Sequence, residues 1–185
     1  MSTITVWTKQ HASVLETLEK TGRYAAKRDF VALDLGEHAP LVLEAYDWLV
    51  AHHPDAARRP ADAGVPVWVS FEREATMLPG EGSVILELSV DPGLITPVNI
   101  AKWGAILNYS YIPRDAADAA RHRALLEAYG VSDVKAVMTQ FYPQIRREIV
   151  ESWSRLFDPA VSLGSDACYG LLWEVRSEWL RGVTR

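Results

Sequence analysis

Carboxylates and flat aromatic or amide side chains are the residues of this chain whose types and spacing could do chemistry. Glu72, Glu87 and Asp91 lie in or beside two β-type runs, and Glu174 lies near the C-terminus. A positioned carboxylate serves as general acid or base, or stabilises positive charge in a transition state. Glu87 stands out because Val84, Leu86, Leu88 and Val90 share the other face of its run. If buried, its titration would shift; on an open sheet face it would not. Glu74 adds a further acid beside Glu72.

The chain holds seven Trp and seven Tyr among 185 residues. Each combines a large apolar face with one hydrogen-bonding group, which suits stacking of a planar or cationic ligand. Three clusters follow. Trp7, Thr8 and Gln10 sit at a strand-to-helix junction, where Thr8 either caps the helix or meets a ligand. Trp68 shares a strand face with Ser70 and Glu72, opposite Val67, Val69 and Phe71. That face lines a cleft or lies under a helix. Asn99, Trp103, Asn108, Tyr109 and Tyr111 form the third cluster, with Asn108 either a ligand contact or a helix end. Trp48 and Trp153 fall on apolar helix faces and read as core.

Strong motifs are missing: no Walker loop, no Gly-x-Gly-x-x-Gly, no Gly-x-Ser-x-Gly and no paired Cys-x-x-Cys. The histidines (His11, His38, His52, His53, His122) are not spaced as zinc ligands. Cys168, the one cysteine, cannot form an internal disulfide and reads as a buried small hydrophobe. With 19 basic and 24 acidic side chains the formal charge is −5. That balance argues against nucleic acid as partner, and Arg146, Arg147 and Arg155 read as a solvated helix face.

The elements that must position these residues read as α+β. Length and an ordinary 49% hydrophobic content fit a single globular domain over 1–185. A strand from Ile4 to Thr8 precedes a helix with Val14, Leu15 and Leu18 on one side and Gly22 at its end. Asp29 to Leu35 reads as a second short strand. A helix opened by Pro40 runs to about His52, and 54–64 is a surface loop. Strands at 65–71 and 84–90 are expected as antiparallel neighbours. Helices follow at 97–109, 115–129, from Ser132 to a break at Pro143, and from Gln144 to Phe157. The end holds strands at Tyr169 to Val175 and Trp179 to Val183. Together these give a small, mostly antiparallel central sheet with helices packed around it. Nothing resembles a membrane span or a signal peptide, so the expected location is cytoplasmic.

Val6-Trp7-Thr8-Lys9-Gln10, Ala45-Tyr46-Asp47-Trp48, Pro66-Val67-Trp68, the Trp103 to Tyr109 stretch and Ser152 to Phe157 resemble an uncharacterised bacterial domain family. That family opens with Trp-Thr-x-Gln, and the resemblance covers most of the chain. It implies an intracellular bacterial domain and no particular activity. A further resemblance is to the ADP-ribosyltransferase fold of DNA-modifying toxins, carried by Thr8, Leu18, Gly22 and Tyr24 and by a late carboxylate. It implies NAD as the ligand. Trp68 would stack nicotinamide, Thr8 and Gln10 would hold its amide, and Glu174 would stabilise the oxocarbenium-like state. Val6 stands where that family carries Arg or His, so its usual dinucleotide contact is missing.

The functional expectation is an enzyme without a metal, acting on a small polar or nucleotide-like molecule in a Trp-, Tyr- and carboxylate-lined cleft. Its NAD-using version is transferase-like. One alternative is a secondary-metabolite tailoring enzyme working through Glu72, Glu87 or Asp91. Another is a ligand-binding module, or a subunit that presents its aromatic residues to a protein partner.

Overall fold

The structure, a computed structural model, describes residues 2–35, 39–76 and 78–185. The chain divides into two compact units. The first comprises residues 1–97 and 168–185, the second 98–167.

The first unit is built on strand β1 (Ile4–His11). His11 ends the strand, and its ring accepts from the Ser13 N–H to cap α1 (Ala12–Thr21). The strand therefore runs three residues beyond Thr8, and the helix cap is His11 rather than Thr8. Gly22 closes α1 in the left-handed region at φ 75°, its N–H bonded to the Leu18 carbonyl. The short β2 (Arg23–Tyr24) and α2 (Arg28–Leu35) follow. The strand expected at 29–35 is thus a helix: Asp29 in its first turn favours the helix N-terminus, and no alternating pattern competes. His38 lies outside the described residues. Helix α3 (Ala39–His52) buries Ala45, Trp48 and Leu49.

β3 (Val67–Ser70), β4 (Ser83–Val90), β5 (Thr96–Asn99), β6 (Cys168–Leu172) and β8 (Leu180–Thr184) join β1 in a six-stranded sheet of order β5-β6-β3-β1-β4-β8. The pairings of β1 with β3 and β4, of β3 with β6 and of β4 with β8 are all antiparallel. β7 (Val175–Arg176) leaves this sheet and pairs with β2. The fold class is α+β, as the element order implied. β3 and β4 are not neighbours, however, because β1 lies between them. The N-terminal strand has eight consecutive register partners on β4, from Ile4↔Val90 to His11↔Ser83.

Register settles the faces, since directly opposed residues share one. Val6, Leu86, Leu88, Val67, Val69 and Leu172 pack with Val14, Leu15 and Leu18 of α1 in one core. Pro97 belongs to β5 rather than opening a helix, as the next helix starts at Ile100. Cys168 is exposed at the start of β6, not buried.

The second unit is helical: α4 (Ile100–Leu107), α5 (Ala116–Tyr129), α6 (Asp133–Met138) and α7 (Pro143–Ser152), then a 3-10 turn over Trp153–Phe157. Pro143 is the first residue of α7 instead of a kink, a position where its missing N–H costs nothing. Ile106, Ile112, Ile149 and Trp153 are the unit's most buried large side chains. Among the described residues no helix is long and apolar enough to cross a membrane.

Gly170 of β6 sets a packing limit in the first unit. A Cβ there would lie 2.5 Å from Ile95 Cγ2 and 2.8 Å from Val69 Cγ2. Gly170→Ala is expected to destabilise the protein by about 1–3 kcal/mol through overpacking. A denaturant midpoint equal to that of the parent chain would contradict this packing.

Candidate functional site

Glu174 occupies the two-residue step between β6 and β7, where the chain passes from one sheet to the other. Leu172, Trp173 and Val175 around it are buried, which turns the Glu174 stem inward while its carboxylate meets the edge of the β2–β7 ribbon. In that ribbon Arg23 stands opposite Arg176. Two guanidiniums facing across a strand pair repel unless an anion lies between them, and Glu174 supplies it. Arg176 Nε donates to Glu174 Oε1 at 2.7 Å, and Arg23 Nε donates to Oε2. Asp62 takes the other end of Arg23 through two bonds of 2.9 and 2.8 Å. Gly22 fixes the register, because its turn delivers Arg23 and its carbonyl accepts from the Ser177 N–H.

The Glu174 side chain keeps only 16% of its exposure. Burial pushes its carboxyl up, but the bonds from Arg23 and Arg176 more than offset that and hold it below the usual carboxylate range. Glu174 is therefore an anion at neutral pH, suited to stabilising positive charge and unsuited to delivering a proton.

Around it is a cleft of about 240 Å³, walled by Trp173, Trp179, Leu94 and Pro60 and edged by Arg58, Arg176 and Asp55. Trp173 is anchored by its indole N–H, which donates to the Asp55 carbonyl at 3.0 Å, and by contact with His53. Burial lowers His53 against the opposing effect of Asp55, so its ring is neutral and accepts from the Asp55 N–H. The Arg59 guanidinium lies 5.8 Å from the Trp173 ring, and that of Arg176 lies 5.7 Å from the Trp179 ring. Flat apolar walls, guanidinium cations and a fixed anion can hold a small planar polar molecule.

Of the sequence-derived candidates, only Glu174 lines this cleft. Trp7 and Glu87 are cross-strand partners, and the Trp7 indole donates to Glu87 Oε2 at 3.1 Å. Trp68 shares their face. Its indole N–H donates to the Tyr46 hydroxyl at 2.9 Å, and Tyr46 and Tyr169 pack edge-on against it. Thr8 and Gln10 lie on the opposite, core face. Gln10 Nε2 donates to Thr8 Oγ1, which donates to the Trp68 carbonyl. The amide and hydroxyl thus support the sheet on the side away from the Trp68 ring. Asp91 caps a 3-10 turn by accepting from the Gly93 N–H, and Glu72 is exposed.

The third cluster belongs to the second unit. Asn99 caps the start of α4 and Asn108 its end, where Asn108 Nδ2 bonds the Gly104 carbonyl. Trp103, Tyr109 and Tyr111 are buried. Tyr109 takes a left-handed φ of 54° and packs against Trp153. Arg155 is not a surface cation, for it bonds the Ile112 carbonyl and Asp118. Among the described residues no group of three or more His, Cys, Asp or Glu side chains could hold a metal ion.

Sequence reading missed Trp173, Trp179, Arg58 and Arg176 as cleft residues, and Arg23 as a partner of Glu174. The available signal was the alternation Trp173-Glu174-Val175-Arg176, with opposite charges two apart around a buried Val.

An α+β protein with an antiparallel six-stranded sheet and a half-buried, doubly paired carboxylate is the class these observations define. The chain belongs to the family described as a domain of unknown function (DUF3841), which matches residues 5–181. No curated protein and no solved structure matches it.

The second unit carries its own buried carboxylate. Asp118 accepts from the Arg114 N–H, the Tyr111 hydroxyl, Arg121 and Arg155. Burial pushes it up, these donors outweigh that, and it sits at about 2. Its folded value lies below the unfolded value of about 3.9. Its contribution to stability is therefore complete above about pH 4 and is lost as pH falls toward 2. Asp118→Asn should flatten that acid limb of the melting temperature; an unchanged limb would remove Asp118 as its source.

Proposed function

We propose that this protein is an enzyme acting on a small polar or nucleotide-like molecule, and that the cleft around Glu174 holds it. The observation that carries this reading is Glu174 itself: a carboxylate kept ionised by two arginines, half-buried beside Trp173 and Trp179. Such an arrangement is pre-organised to favour positive charge developing on a bound molecule.

The NAD-using version fits this chemistry. A nicotinamide ring would lie on the indole walls, with Arg58 and Arg176 toward its polar substituents. The bond from the ring nitrogen to ribose breaks, and its electron pair leaves with neutral nicotinamide. The sugar then carries positive charge next to Glu174. An acceptor lone pair closes that carbon, and the acceptor loses a proton. A volume of about 240 Å³ suits one ring and its sugar, not a whole dinucleotide.

A second reading, a binding module, has one observation in its favour. Both Glu174 oxygens are already engaged by arginines, which leaves Glu174 no free oxygen for proton transfer.

NAD, ADP-ribose and nicotinamide should raise the melting temperature by several degrees near 100 times their dissociation constants, about 2.7 kcal/mol. Glu174→Gln is expected to lower nicotinamide release by about 10²–10³ while keeping ligand binding. Binding that survives Glu174→Gln, fails in Trp179→Ala and never yields nicotinamide would establish the module. No thermal response to any of the three would remove both readings.

A further inference from the structure

The second unit bears a groove unrelated to Glu174. It has a volume of about 370 Å³ between the end of α5 and the start of α7. Tyr129, Tyr142 and Phe141 supply its aromatic walls, with Leu125 and Ile145 behind them. Among the described residues Glu148 is the one charged residue that lines it, and no lysine or arginine does. The Tyr129 and Tyr142 rings stand 6.5 Å apart at 89°, forming two walls of a corner. Phe141 is 82% exposed and Tyr129 57% exposed. Large aromatic side chains left this open in a chain of ordinary composition are not needed for the core.

Glu148 is kept anionic. Burial pushes its carboxyl up, and Arg121 and His122 outweigh that to hold it below the usual range. The hydrogen bonds of Arg121 and His122 both fall on Oε1, and the residue lines the groove. Aromatic faces present negative charge at their centres, and a carboxylate adds a full one. A corner of rings beside a carboxylate, here one already paired with Arg121, favours a cation with an apolar shell through the ring faces.

We propose that this groove is a binding site for a small organic cation of the quaternary or methylated ammonium class. The aromatic corner receives the methyl groups, and Glu148 balances the charge. The site belongs to the second unit alone and stands whether or not Glu174 binds a nucleotide.

The test is calorimetric titration of the full chain with tetramethylammonium and choline, against 3,3-dimethylbutan-1-ol, the neutral isostere of choline. Saturable binding of both cations is expected, with the alcohol weaker by about tenfold or more. Phe141→Ala, at an exposed position, should weaken choline severalfold and leave the melting temperature unchanged. Glu148→Gln should reduce the preference for choline over the alcohol. Equal binding of choline and the alcohol would show an apolar slot and overturn the proposal. So would no saturation by either cation, or choline binding that neither substitution changes.

Discussion

A carboxylate that folding strips of most of its water must be paired, and in the first unit that demand falls on Glu174. Its two oxygens bring together Arg23 at the end of α1 and Arg176 on the following strand. Either arginine alone would leave the half-buried carboxylate less fully compensated, although both guanidiniums keep part of their exposure to solvent. The junction ties the start of the chain to its end. It lies beside Trp173 and Trp179, which wall the same cleft.

The sheet makes the junction possible. β1 enters at the centre, so the helix that follows must return along the core face, and Gly22 must end it where β7 can pair with Arg23. Trp173 then faces the loop at 54–60, whose Asp55 carbonyl and Arg58 complete the wall.

Much of the fold could be read from local signals, because those signals are short-range. Gly22 and Gly130 mark left-handed helix ends, Ser132 marks a helix start, and the alternation at 67–70 and 84–90 marks strands. What failed depended on long-range pairing or on competition between neighbours. The placement of β1 between β3 and β4 is a contact across some eighty residues and leaves no local trace. Asp29 to Leu35 is apolar enough for either element and became a helix. The candidate site was legible only in part. Glu174 was visible as a late carboxylate, but its partner Arg23 lies 151 residues away, and Asp62, the other carboxylate on Arg23, lies 39 residues from that arginine. Thr8, Gln10 and Trp68 look alike in sequence as polar or aromatic strand residues. Only register shows that Trp68 turns away from the other two.

The second unit applies the same rule to Asp118, with four donors in place of two arginines, and leaves its aromatic surplus at the other end of α5. Each unit thus holds a carboxylate paired by several donors and presents flat side chains beside a further charge. The most direct test of the account is the indole N–H spectrum of the seven tryptophans during titration with nicotinamide riboside. The signals of Trp173 and Trp179 should move together and saturate while the other five stay fixed. Movement confined to Trp7 or Trp68, or no movement at all, would contradict the assignment of the Glu174 cleft as the functional site.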